Sequence, residues 1–277
     1  MAKSKTIDGR AHAKRLLETL EPKIRAYTPA LTLLDFENTG DWHRKFSERF
    51  CKNSGIECDI IRLKRDTSQR DVNEIITGIN INPKINGILT ILPLPPHLDM
   101  YETLSAIDPL KDIDCQSPYN LGLAMMGNPN FVSGTALSVA HLLEKEGITT
   151  DGKHVVIVGR SVLVGRPLAA LLCTKNATVT VCHTKTNYLS DYTKQADILA
   201  VAAGSPNLIT GDMIKEGAVV IDIGNTEGIS KNPVGDIDFE SCEKKASFIT
   251  PTPGGVGPMT VALLISNLIK AWEVQND

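Results

Sequence analysis

Apolar positions along this chain follow two rhythms, and their alternation predicts the architecture. Short apolar runs at Ala30–Leu34, Glu57–Leu63 and Ile85–Leu92 read as strands, since a strand buried on both faces loses the period-two pattern. Helical spacing intervenes. Ala13, Leu16, Leu17, Leu20 and Ile24 mark one face of a first helix, which Pro22 is expected to kink or split. A second helix is expected to run to Asn53 and stop near Gly55, and a third to cover Asp71–Asn80. Farther along, strands are expected at Val155–Val158, Thr178–Cys182, Ile198–Val201 and Val219–Ile223, with helices starting near Gly165, Leu189 and Thr210. Ser133 is placed to N-cap a helix over Leu137–Leu143. Strands alternating with helices give parallel βαβ units with right-handed crossovers. The expected fold class is α/β: two α/β domains, the second a doubly wound parallel sheet.

Composition narrows the function classes. The 277 residues are 42% hydrophobic and 22% charged, with 29 basic and 32 acidic side chains and a net charge of −3. That balance gives no bulk attraction to nucleic acid or an anionic membrane surface. No apolar stretch approaches the ~18–20 residues of a membrane span, and Met-Ala-Lys-Ser-Lys carries no apolar signal core, so a cytoplasmic protein is expected. Six cysteines without C-x-x-C spacing or clustering are expected as free thiols, and no metal site is expected.

The stretch with the clearest chemistry is His154 to Pro167, a Val/Ile run that stops at Gly159 and reopens as a helix at Gly165. A glycine turn into a helix N-terminus offers free backbone N–H groups to an anion, here the phosphates of a dinucleotide. The Gly159-to-Gly165 spacing departs from G-x-G-x-x-G, and by itself it suits an ordinary strand-to-helix turn equally well. Its position at the carboxyl end of a strand in a doubly wound sheet favours the cofactor reading. The next strand ends Cys182-His183-Thr184-Lys185, without the acid that bonds a ribose 2′-hydroxyl about 20 residues past the turn in NAD sites, and Arg160 follows the first glycine. Positive charge and a hydroxyl there suit a 2′-phosphate, so NADP is expected, with NAD possible.

Near the C-terminus, Thr250-Pro-Thr-Pro-Gly-Gly-Val-Gly-Pro-Met-Thr260 combines glycines that let backbone approach a flat ligand with a proline suited to a helix start. Together with Val-Gly-Arg-Ser, Val-Gly-Arg-Pro, Cys-His-Thr-Lys-Thr, Ala196-Asp197, Ile7-Asp8-Gly9, Leu92-Pro-Leu-Pro95 and Lys111-Asp-Ile-Asp114, it resembles the methylenetetrahydrofolate dehydrogenase/methenyltetrahydrofolate cyclohydrolase family. The resemblance covers nearly the whole chain. It implies a folate-binding catalytic domain over 1–118 plus 256–277 and a Rossmann-like NAD(P)-binding domain over 119–255. It also implies that the two α/β domains flank a cleft, with a folate substrate in that cleft, and a homodimer. Asp114 would hold the pterin, with Leu92, Pro93, Gly254 and Gly255 on the substrate side. Thr135, Gly159, Arg160, Ser161, Val164, Gly165, His183, Thr184, Ala203 and Gly204 would take the cofactor, Thr135 beside the nicotinamide and Arg160, Ser161, His183 and Thr184 at its adenosine-ribose phosphate end.

Departures from that pattern sit on the substrate side. Counting back from Gly55, the family's helix-borne Tyr and Lys, neighbours at i and i+4, fall on His43 and Ser47. Its Gln before Leu-Pro-Leu-Pro is Ile91, its Gly after Lys-Asp-x-Asp is Cys115, and Lys45, at i+2 from His43, should face away. Hydride transfer from a methylene carbon leaves a delocalised cation and no proton to remove. Hydrolysis of the methenyl cation needs water activation, where a placed acid/base group contributes ~10²–10⁴-fold. The sequence therefore predicts a dehydrogenase with weak or absent cyclohydrolase activity. His43 could stack on the folate or serve as a substitute base in a bifunctional enzyme, and equally suits a solvated helix surface. An oxidoreductase acting on another C–N substrate and a non-catalytic folate- or nucleotide-binding protein remain as alternatives.

Overall fold

The computed structural model describes residues 4–37, 48–50, 52, 55–227 and 233–276. The chain divides into two compact units, Met1–Leu16 with Ser133–Ala262 and Leu17–Val132 with Leu263–Asp277, so two of the boundaries fall inside helices.

The first unit is built on a six-stranded sheet, all of whose pairings are parallel. Its strands are β1 (Lys5–Thr6), β5 (His154–Val158), β6 (Thr178–Cys182), β7 (Ile198–Val201), β8 (Val219–Asp222) and β11 (Phe248–Ile249), in the order β1-β11-β8-β7-β5-β6. Four-residue β7 and β8 are buried at every position, as their unbroken apolar runs require, whereas β6 at the edge is half exposed. From β5 the chain goes one way to β6 and the other way to β7, so the strand order reverses between β5 and β7. Ligand crevices in such sheets open beyond the carboxyl ends of the strands at that reversal. Val156, Val158, Leu199, Val201 and Val220 form the core beneath it. A separate antiparallel pair joins β9 (Thr226–Glu227) to β10 (Pro233–Val234).

The second unit carries a three-stranded parallel sheet, β3-β2-β4, from β2 (Ala30–Phe36), β3 (Glu57–Leu63) and β4 (Gly87–Thr90). Central β2 is buried throughout. Its core joins Leu34, Phe36 and Ile88 to Val72, Ile76 and Ile79 of α2 (Gln69–Asn80), whose first turn is capped by Ser68 Oγ accepting from Asp71 N at 3.2 Å. Beyond β4, Asp112 bridges to Ile88, and Ile88 N donates to Lys111 O at 2.7 Å, which fixes the Lys111–Asp114 segment against the sheet.

Several expectations are corrected. Pro22 does not split the first helix: α1 runs unbroken from Gly9 to Tyr27. Its last turn is tied to the C-terminal helix α9 (Val256–Asn276) by Tyr27 stacked on Trp272 at 4.1 Å and by Lys23 on Glu273 at 2.8 Å, which offsets the one hydrogen bond proline removes. The strand expected over Ile85–Leu92 is only Gly87–Thr90, giving way to the Pro-rich segment with its cis Leu92–Pro93 bond. Ser133 stands at the N-cap of α5 (Gly134–Lys145) but makes no side-chain cap bond, because its hydroxyl donates instead to Leu163 O at 2.8 Å. Cys58 is disulfide-bonded rather than free; thiols pair by approach in space, which sequence spacing does not report. Among the described residues no helix is long and apolar enough to cross a membrane.

Candidate active site

The loops at the carboxyl ends of β5, β6 and β7 are hydrogen-bonded to one another. Gly159 N donates to Cys182 O at 2.8 Å, and Ala202 N donates to Val158 O at 2.7 Å. Gly159 has φ +135°, and a Cβ there would lie 2.3 Å from Ala202 O; a Cβ on Gly165 would lie 2.1 Å from Gly159 O. Both glycines are therefore required by the close approach of the chain's own backbone at the turn. This brings Gly159, Arg160, Ser161, Val164 and Gly165 together with His183 and Thr184 on one side and Ala203 and Gly204 on the other.

One electrostatic expectation changes. Ser161 Oγ accepts from Val164 N at 3.1 Å and Gly165 N at 3.4 Å, and Ser161 O accepts from Arg166 N at 3.1 Å. The first N–H groups of α6 (Gly165–Thr174) are thus engaged by the turn itself. Attraction for an anion at this end comes instead from the exposed Arg160 and Lys185 side chains. The β6 loop is held by Thr186 Oγ1 accepting from His183 N at 2.9 Å, and by His183 Nδ1 accepting from Lys185 N at 3.1 Å. With Nδ1 an acceptor, the neutral imidazole carries its proton on Nε2, which leaves Nε2 a donor.

Sequence reasoning missed two acids behind this site. Asp236, fully buried, accepts from Ala203 N at 2.6 Å, Gly204 N at 2.9 Å and Ser205 N at 2.8 Å, so one carboxylate fixes the loop after β7. Asp222, 2% exposed at the end of β8, accepts through Oδ1 from Asp236 N at 3.0 Å and Gly224 N at 2.9 Å. Burial pushes the Asp222 carboxyl up to about 6 against the pull of those backbone donors, with the Asp236 charge adding to the rise. Asp222 had one signal, an acid at the end of an apolar strand, and Asp236 had none.

The glycine-rich turn near the C-terminus packs on the start of α1. Arg10 N donates to Gly254 O at 3.2 Å, and a Cβ on Gly9 would lie 1.8 Å from Gly255 O, which explains why residue 9 is glycine. Gly254 has φ +118°, and the turn contains a cis Thr252–Pro253 bond. Thr135 lies in the first turn of α5, half-buried, where Ser133 ties the helix start to the loop before Val164.

In the second unit the Lys111–Ser117 segment is organised from within. Asp112, 1% exposed, accepts from Gln116 N at 2.8 Å, Ser117 N at 2.9 Å and Asn120 Nδ2 at 2.9 Å. Lys111 is buried with its ammonium donating to Ile79 O at 3.0 Å and Asn82 O at 2.8 Å, and desolvation holds its pKa below the ordinary lysine value. Asn267 Nδ2 donates to Ile113 O at 2.7 Å. Asp114 is thereby presented, half-exposed, on a rigid loop. Cys115 adopts φ +54°, a left-handed backbone that glycine takes without strain. Ile91 is buried at the end of β4, followed by half-buried Leu92 and exposed Pro93. His43 and Ser47 lie outside the described residues.

Comparison with known proteins gives the family. The family model of the tetrahydrofolate dehydrogenase/cyclohydrolase NAD(P)-binding domain matches residues 133–276, and that of the catalytic domain matches residues 7–114. The chain is 43% identical over 273 residues to the bifunctional protein FolD of Nitratiruptor, covering 96% of each. It is similar in structure to the bifunctional FolD enzyme of Campylobacter jejuni, with TM-score 0.94, 37% identity and coverage of 98% of this chain and 99% of that one. The FolD of Trypanosoma brucei, solved with NADP cofactor and an inhibitor, gives TM-score 0.91 and 35% identity over 99% of each chain. A shikimate dehydrogenase from Aquifex aeolicus, at 13% identity and TM-score 0.56, shares the fold alone.

Proposed function

The chain belongs to the tetrahydrofolate dehydrogenase/cyclohydrolase family, and from that premise we propose an NADP-preferring methylenetetrahydrofolate dehydrogenase whose methenyltetrahydrofolate cyclohydrolase activity is weak or absent. The observation that carries the reading is the contrast between the residues expected at the cofactor and those expected at the folate. For the cofactor the glycine turn and the basic groups Arg160 and Lys185 are present, whereas for the folate the residues expected to handle protons are His43, Ser47 and the apolar, buried Ile91.

The tight glycine turn at the carboxyl end of β5 and the positive charge of the flanking loop support a dinucleotide there. In this reading Arg160, Ser161, His183 and Thr184 hold the 2′-phosphate end, with Ala203 and Gly204 along the opposite loop and Thr135 nearest the nicotinamide. Bound NADP supplies the hydride acceptor. The chain's own contribution to that step is orientation: Asp114 accepts from the pterin ring's N–H donors. No residue has to remove a proton, so an apolar side chain at position 91 leaves the step intact. Hydrolysis of the methenyl product differs, because water must lose a proton as it adds.

The relatives' designation as bifunctional favours a second reading, in which His43 replaces the missing base and both activities persist. Two assays on the purified protein separate these readings. Formation of reduced nicotinamide from methylenetetrahydrofolate is expected with NADP and more weakly with NAD; absence of turnover with both would refute the proposal. Decay of methenyltetrahydrofolate at the buffer rate is expected, with acceleration in Ser47→Lys; a wild-type rate well above buffer would establish the bifunctional reading instead.

A further inference from the structure

The Gln116 side chain is 3% exposed, and its amide nitrogen is committed on two sides. Nε2 donates to Thr90 O at 3.0 Å and to Asp114 Oδ2 at 3.4 Å, while the backbone N–H of the same residue is held by Asp112 Oδ1 at 2.8 Å. The left-handed turn at Cys115 allows this, because it folds the chain so that side chains two apart meet. The amide is thereby anchored to the strand end immediately before Ile91 and aimed at the carboxylate of Asp114. Burying an amide costs stability unless its hydrogen bonds are made, and an apolar side chain of similar volume would pack there without that demand.

We propose that Gln116 is a positioning residue for folate binding: it orients the Asp114 carboxylate by a neutral hydrogen bond from the floor formed by Thr90. The proposal rests on the functional reading above, in which Asp114 receives the pterin. A neutral donor suits that task, since it fixes one carboxylate oxygen without cancelling the negative charge. An N–H edge such as the 2-amino-4-oxopyrimidine of a pterin is recognised through that charge. Asp112 and Asp114 lie on the amide's own loop, and the ammonium of buried Lys111 is directed to Ile79 O and Asn82 O.

Steady-state kinetics with methylenetetrahydrofolate and NADP test this on wild type, Gln116→Leu, Gln116→Glu, Asp114→Asn and the double variant of Gln116→Leu with Asp114→Asn. Loss of a hydrogen bond to a charged group corresponds to about a tenfold change. Gln116→Leu should raise KM for the folate about tenfold, while kcat and KM for NADP stay near wild type. In the Asp114→Asn background the same substitution should add little, because the group it orients has gone. Gln116→Glu should bind folate poorly at pH 8 and recover toward pH 6, where the introduced carboxyl gains a proton to donate. An unchanged folate KM in Gln116→Leu would overturn the proposal, as would full additivity in the double variant, KM values rising together for both substrates, or a Gln116→Glu pH profile parallel to wild type. Turnover by the wild type with any of these outcomes refutes the role of Gln116 alone; no turnover by the wild type refutes the functional reading and this proposal with it.

Discussion

Asp222 offers a direct test of the acid pair behind the cofactor loop. Asp222→Asn keeps the shape of the side chain and an Oδ1 able to accept from Gly224 N and Asp236 N, but removes the charge. In the folded chain the carboxyl is raised from 3.8 to about 6, chiefly by desolvation at 2% exposure. A shift of about two units at ~1.4 kcal/mol each gives about 3 kcal/mol. The folded-state value lies above the unfolded one, so between about pH 4 and pH 6 the folded chain binds more protons than the unfolded chain. The contribution of Asp222 to stability is therefore most favourable below that window and is lost as pH rises through it. Urea unfolding of wild type and Asp222→Asn, followed by circular dichroism from pH 4 to pH 7.5, measures the difference. The gap should move in the variant's favour by about 3 kcal/mol across that range, whatever the constant offset between the two proteins. Two stability curves that run parallel through the window would refute the reasoning.

Two further substitutions probe the frame around the site. Gly9→Ala places a methyl 1.8 Å from Gly255 O with backbone on both sides, so it should cost about 3 kcal/mol and be read as a lowered thermal midpoint; a change of less than about 1 kcal/mol would show that the turn can move aside. Arg160→Ala should raise KM for NADP about tenfold and leave KM for NAD nearly unchanged, because only the 2′-phosphate gains from the guanidinium; equal effects on both would place Arg160 elsewhere on the cofactor.

Much of the fold was legible because strand burial writes itself into composition. The runs at Glu57–Leu63, Thr178–Cys182 and Ile198–Val201 are strands with the expected bounds, since each ends at turn residues or a change of rhythm. Two-residue strands such as Lys5–Thr6 and Phe248–Ile249 carry no period to detect; they are strands because parallel partners stand beside them. Pro22 misled for a related reason: its local penalty was visible, while Tyr27 on Trp272 lies 245 residues away along the chain. Local rules report local costs, and long-range packing decides whether those costs are met.

The same distinction separates the parts of the site that could be read from those that could not. A glycine turn after a buried strand announces itself through residue types that only close approach explains, and Gly159 and Gly165 have the contacts that explain them. Asp236 and Gln116 act on backbone groups instead: three successive N–H groups of residues 203–205 for one, Thr90 O for the other. Every residue offers such groups, so no sequence pattern marks which of them a distant polar side chain will take. What sequence did supply was the place to look. Cys115, at a glycine position of the family pattern, immediately precedes Gln116, and Ile91, at an amide position of that pattern, immediately follows Thr90, whose carbonyl Gln116 takes, so two of the departures border one side chain.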